Sequence, residues 1–197
     1  MQEQIGKVNK EIIDKNREKI EEADIILMQL EIPIETVEYV CKIAKNKKII
    51  LDPAPANNKI TSKILEKVYV LKPNETELNI LTGMPTDSLE EIIVAAKSLL
   101  QKGVKNVVVS LGGKGSILIN NEKHQYFKAL ETKVVDTTAA GDSFIAAIAL
   151  GISLNKNLEE SINLANKVAT LTVSKQGAQK SVPSMKEVIE FDKIKIK

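Results

Sequence analysis

Four short apolar runs constrain this chain more than anything else in it: Ala23–Leu30, Lys48–Asp52, Val68–Leu71 and Asn106–Ser110. Each has the length of a strand and little polar alternation, the pattern of strands covered on both faces in a parallel sheet. Helical stretches separate them. Asn9–Glu22 carries Ile12, Ile13 and Ile20 among charges and reads as one amphipathic surface helix. Pro33 suits the first turn of a helix running to about Lys45, and Leu89–Gln101 is a helix with Asp87 or Ser88 as cap and Gly103 as stop. Ser116–Ile119 and His124–Phe127 flank an Asn120-Asn121 turn, as a hairpin does. A short apolar pair, Val134-Val135, reads as a further strand. Two helices follow, about Ala140–Ile152 and Leu158–Val173, then a loop and a last short helix. Alternating strand and helix predict an α/β fold on a mostly parallel sheet. With no repeat or linker, residues 1–197 read as a single domain.

Composition removes several functions. Lysine plus arginine exceed aspartate plus glutamate by 28 to 26, the cations are scattered, and Arg17 is the one arginine, so nothing points to nucleic acid. The single cysteine, Cys41, lies on the apolar face of a helix with Val37, Val40 and Ala44 and is expected to be buried. His124 is the lone histidine and has no partner ligands for a metal. No leader-like apolar core or membrane-spanning run is present, which gives a cytoplasmic expectation and no membrane partner. A dinucleotide fold is disfavoured because no Gly-x-Gly-x-x-Gly joins an early strand to a helix.

Open α/β sheets bind ligands beyond the carboxyl ends of their strands. Glu31, Asp52, Asn74, Ser110 and Asp136 all fall at such ends. The most pointed stretch is Val135-Asp-Thr-Thr-Ala-Ala-Gly-Asp-Ser-Phe144, read as strand, turn and helix start. Ala140, Gly141 and Asp142 enter the first helical turn, where amides lack intrahelical acceptors and the helix dipole favours an anion. A carboxylate there can take a proton from an attacking hydroxyl. It can equally serve only to favour the helix start, and the residues alone leave both readings open. Asn74 and Glu77 have capping-box spacing. Ser110-Leu-Gly-Gly-Lys-Gly115 has the glycines of a tight turn.

Asp136-Thr-Thr-Ala-Ala-Gly-Asp-Ser-Phe144 resembles the second signature of the PfkB carbohydrate kinases, and its Thr-Ala-Ala form is closest to the ribokinase-like members. Met28-Gln-Leu-Glu-Ile-Pro33 and Pro73-Asn-Glu-Thr-Glu77 resemble two further elements of that group. The resemblance implies a three-layer α/β/α fold and an ATP-dependent sugar kinase that moves phosphoryl to the 5-hydroxyl of ribose or a related sugar. It makes Asp142 the base, the backbone of Ala140, Gly141 and Asp142 the anion hole, and Glu31 a sugar contact. It sets Asn74, Ser110, Leu111, Gly112, Gly113, Lys114, Gly115, Gly141 and Asn166 along the nucleotide, and Glu77 at Mg²⁺ through water. It implies a K⁺ site from Asp136, Thr138, Thr172, Lys175, Gly177 and Ser181.

The resemblance runs from about Lys7 to Phe191, and it leaves the family's N-terminal sugar-binding and lid portion without a counterpart, so the fold is expected to be N-terminally truncated. A fragment, a shortened gene and one subunit of a split kinase all fit that pattern. Three expectations follow: impaired activity, apolar sheet edges open to self-association, and a homo-oligomer or the missing half as partner. The alternative function is a nucleotide-binding remnant without turnover.

Overall fold

The buried runs become strands in the computed structural model, which describes residues 8–194. The strands are β1 (Ile25–Gln29), β2 (Lys48–Asp52), β3 (Val68–Leu71), β4 (Asn106–Ser110), β5 (Gly115–Asn120) and β6 (His124–Lys128). They form a six-stranded sheet whose spatial order equals the chain order. The pairings β1–β2, β2–β3 and β3–β4 are all parallel, as continuous apolar runs require. Helices link them: α1 (Lys10–Lys15), α2 (Arg17–Glu22), α3 (Ile34–Ile43), α4 (Ser62–Leu65), α5 (Glu75–Thr82) and α6 (Leu89–Gln101). Beyond β6 come α7 (Ala140–Ser153), α8 (Leu158–Val173) and α9 (Met185–Ile194).

Backbone proximity divides the chain into two compact units, Met1–Leu111 with Ile117–Gln125, and Gly112–Ser116 with Tyr126–Lys197. In the first, Val37 and Val40 of α3, Leu51 of β2, Leu71 of β3 and Leu99 of α6 share one buried cluster. Cys41 belongs to it, and burial pushes its thiol up to about 12, so it packs as a small hydrophobe. The α6 helix starts on the predicted cap: the Glu91 amide donates to Ser88 Oγ at 3.2 Å, and the Glu91 carboxylate accepts from the Ser88 amide at 3.0 Å.

In the second unit α7 and α8 lie against each other at their small residues. A methyl group added at Gly151 would stand 2.5 Å from Ser161 Oγ and 2.9 Å from its Cα, so only glycine permits this spacing. Phe144, Ile148 and Ile152 of α7 and Ile162 and Ala165 of α8 are buried.

Four expectations change. The helix predicted over Asn9–Glu22 is broken into α1 and α2, because the Asn16 side chain donates to the Ile12 carbonyl at 2.9 Å and competes with helix continuation. The α3 helix stops at Ile43, before a left-handed Asn46. Val134 and Val135 form no strand. They are 60% and 53% exposed, and the Val135 and Asp136 amides instead donate to the Val173 carbonyl. Finally, among the described residues β1 is the last strand of the sheet, and Leu27 at its centre is 40% exposed. The polar N-terminal stretch, residues 1–7, lies outside the described residues.

Candidate active site

In the first unit the candidate residues gather at the carboxyl ends of β3 and β4. Asn74 caps α5: its side-chain oxygen accepts from the Glu77 amide at 2.8 Å, and the Glu77 carboxylate accepts from the Asn74 amide at 2.8 Å. This is the reciprocal box the spacing predicts. The Ser110 amide donates to the Pro73 carbonyl at 2.9 Å, and Asn74 and Ser110 form an isolated parallel bridge. Asn74, Glu77 and Ser110 therefore stand together. Leu111 turns into the core. Glu31 is exposed beyond the end of β1, two strands away from β3, on a groove of about 290 Å³ shared with Leu27, Met28 and Ile32.

One pair at this edge escaped the sequence reading. Lys72 Nζ lies 2.9 Å from Asp52 Oδ2, and the two side chains are only 5% and 3% exposed. Desolvating two charges is costly, so they are tolerated only in close mutual contact. The available signal was a charged residue at the exit of two neighbouring apolar runs. The structure buries both members of the pair.

In the second unit α7 is entered through Ala139 in the left-handed region, φ 62°, with no side-chain cap. Asp142 is exposed in the first turn, next to the positive end of the helix dipole. The Ala140 amide donates to the Thr137 carbonyl at 3.2 Å and that of Ser143 to Ala139 at 2.9 Å, whereas Gly141 occupies the second position, where an amide has no intrahelical acceptor. Gly112–Lys114 makes a 3₁₀ turn, with Gly112 at φ 55° and Gly115 at φ 117°. The Tyr126 hydroxyl and the Ala129 amide both donate to the Lys114 carbonyl, and a Cβ at Gly115 would fall 2.0 Å from the Phe127 carbonyl. The loop is thus braced and admits only glycine at its end. Asn166 lies buried on α8, 8% exposed, with its carbonyl accepting from the Thr170 hydroxyl.

The residues of the predicted cation site come together in part. Asp136 Oδ1 accepts from the Thr138 amide and Oδ2 from the Gly177 amide, each at 2.9 Å, which staples two loops. Hydrogen bonds from the Thr138 side chain and amide, then from the Gly177 amide, hold the Asp136 carboxyl below the ordinary carboxylate value. The Thr172 hydroxyl turns back to the Val168 carbonyl, the Ser181 hydroxyl donates to Ala178, and the Lys175 ammonium pairs with Glu187 at 2.5 Å. Among the described residues no group of three or more His, Cys, Asp and Glu forms a metal cluster. His124 is exposed, as expected.

Comparison with known proteins bears on this arrangement. The pfkB family carbohydrate kinase profile matches residues 3–185. The chain is 34% identical over 182 residues to a ribokinase of Haemophilus influenzae, covering 91% of this chain and 59% of that protein. It is 34% identical over 183 residues to a deoxyribokinase of Salmonella typhi, covering 92% of this chain and 60% of that protein. Among solved structures, Arabidopsis thaliana ribokinase complexed with ribose and ATP superposes with a TM-score of 0.85 at 39% identity, over 90% of this chain and 58% of that one. That likeness bears out the three-layer α/β fold with a mostly parallel sheet. The chain spans about three-fifths of the length of these relatives. A profile matched along nearly the whole chain, with a ribokinase fold built from the same strand-helix alternation, establishes that this chain belongs to the pfkB family of carbohydrate kinases.

Proposed function

We propose that the chain carries the nucleotide-binding and proton-abstracting part of an ATP-dependent sugar kinase, with ribose phosphorylated at its 5-hydroxyl. The observation that carries this reading is the exposed Asp142 carboxylate in the first turn of α7, behind the left-handed Ala139 and beside Gly141. The sugar hydroxyl gives its proton to an Asp142 carboxylate oxygen. The freed oxygen bonds to the γ-phosphorus of ATP as the bond to the β–γ bridging oxygen breaks, and ADP leaves. The Gly141 amide steadies the charge on the transferred group, since a donor fixed at the helix start needs no reorganisation during the step. The contribution of Ala140 is reduced by its bond to Thr137.

Asn74, Ser110, Leu111 and Gly112 to Gly115 are assigned to the nucleotide, and Asn166 to its adenine side. Glu31 is assigned to the sugar. Glu77 would hold Mg²⁺ through water, and the ion would neutralise phosphate charge there. The loops of Asp136, Thr138 and Gly177, stapled by the Asp136 carboxylate, would hold K⁺ together with Thr172, Lys175 and Ser181, and the ion would offset charge near the helix start. The deoxyribokinase relative makes deoxyribose the competing sugar. A second reading is nucleotide binding without turnover, supported by Asn74, Glu77 and Ser110 standing together at the ends of β3 and β4.

A coupled assay of sugar-dependent ADP release, with titration of ATP on the same preparations, tests both readings. Asp142→Asn is expected to lower kcat by about 10²–10⁴-fold, the usual contribution of a positioned base, and to leave ATP affinity unchanged. Wild-type turnover unaffected by Asp142→Asn would remove Asp142 from the reaction. ATP binding by a wild type without turnover would select the second reading.

A further inference from the structure

We infer that Tyr126 is a positioning residue for the nucleotide, resting on the assignment of Gly112 to Gly115 proposed above: its hydroxyl holds the loop in its binding shape before ATP arrives. Three glycines, Gly112, Gly113 and Gly115, leave this loop little backbone restraint of its own. A loop that has to be ordered when its ligand binds subtracts that ordering from the affinity. In the structure the ordering is done beforehand, from one side. The Lys114 carbonyl accepts from two donors, the Ala129 amide at 3.1 Å and the Tyr126 hydroxyl. Tyr126 lies on β6 and Ala129 just past its end. The Ala129 bond is main chain to main chain and open to almost any residue, whereas the Tyr126 bond depends on one side chain.

The two sides of the loop differ. At its end Gly115 is pressed against β6, where an added Cβ would fall 2.0 Å from the Phe127 carbonyl and 2.6 Å from the Ala129 amide. A Cβ on Gly112 or Gly113 would meet no atom of the described residues within 4 Å. The loop therefore has a braced back and an open front, and on the front a ligand can approach the backbone closely. Tyr126 itself does little for the fold. Its side chain stands on the face of β6 opposite to Phe127, which is buried and carries the packing. Tyr126 is 45% exposed, so water can take the place of the lost partner when the hydroxyl is removed. What the hydroxyl specifies is the loop.

Titration calorimetry of ATP with Mg²⁺ against wild type and Tyr126→Phe tests this, together with hydrogen exchange of a peptide spanning residues 111–117. The variant keeps the ring and removes only the bond. It is expected to raise the Kd for ATP about 3–10-fold, the worth of one hydrogen bond. Its melting temperature without nucleotide is expected to stay within about 2 °C of wild type. Without nucleotide its loop peptide is expected to exchange faster than that of wild type, and at saturating ATP the two are expected to converge, because the ligand then supplies the order that the tyrosine supplied before. A contact that served the fold alone would lower the melting temperature and leave the Kd where it was. A Tyr126→Phe protein that binds ATP as tightly as wild type overturns the inference and leaves the nucleotide assignment standing. A raised Kd with unchanged loop exchange also overturns it, since Tyr126 then acts by some route other than ordering the loop. Failure of the wild type itself to bind ATP overturns the nucleotide assignment and this role with it.

Discussion

Lys72 and Asp52 show how much one contact can demand of a residue. Asp52 ends β2 and Lys72 follows β3, and each is more than nine-tenths buried. Lys72 directly precedes Pro73 and Asn74, the entry to the capped helix of the candidate nucleotide site. Removing one partner leaves the other charge buried without its counter-ion. Lys72→Met is therefore expected to cost about 3–5 kcal/mol in urea unfolding, with the double replacement Lys72→Met/Asp52→Leu recovering much of the loss. A Lys72→Met protein as stable as wild type would show that Asp52 is satisfied by other means. Asp142 is the opposite case. It is exposed, it holds no core together, and its replacement by asparagine is expected to act on turnover rather than on stability.

Among elements, the α7–α8 pair and α9 make separate predictions. The α7–α8 contact closes on Gly151, where a methyl group would meet Ser161 backbone and side chain below 3.0 Å. Gly151→Ala is expected to destabilise by about 1–3 kcal/mol despite the better helix propensity of alanine, because overpacking at backbone distance outweighs it. Ser161→Gly in the same chain is expected to restore part of the loss, as read from denaturation midpoints. The α9 helix is held by Glu187, whose carboxylate pairs with Lys175 and accepts from the Ser184 amide and hydroxyl at 2.8 and 3.0 Å. The Lys175 hydrogen bond first, then Ser184, lower its pKa from 4.5 to about 2. A depressed folded-state value means the stabilisation is present above the unfolded pKa and is lost as pH falls through the folded one. Wild type should therefore lose stability relative to Glu187→Gln between about pH 5 and pH 2. The size of the effect is limited, since both side chains are over a third exposed. Parallel pH profiles for the two proteins would disprove this account of α9.

For the whole molecule, the proposed nucleotide site makes a prediction that needs no turnover. A ligand bound only by the folded state raises its stability by about 2.7 kcal/mol at a hundredfold excess over Kd. ATP with Mg²⁺ is expected to raise the melting temperature, and Asn74→Ala is expected to reduce that rise as well as lose about 1 kcal/mol of capping stability. An ATP-independent melting temperature in the wild type would count against nucleotide binding by this chain.

Sequence alone determined what depends on near neighbours. The strand runs, the α6 cap at Ser88 and Glu91, the Asn74–Glu77 box and the helix Leu158–Val173 rest on contacts within a few residues, and each formed where its spacing required. The Asp136–Phe144 signature was legible for the same reason, as a turn feeding a helix start. Tertiary structure decided what depends on distant partners. It buried Lys72 against Asp52, joined Asp136 to Gly177 across 41 positions, turned Leu111 inward, and left Val134-Val135 as exposed coil whose amides serve the end of α8. Among the described residues it also set β1 last in the sheet, although its composition is that of a central strand. An apolar run prescribes that a strand be covered; which chain segment covers it is set by the rest of the fold, because burial is non-directional and strand pairing is not.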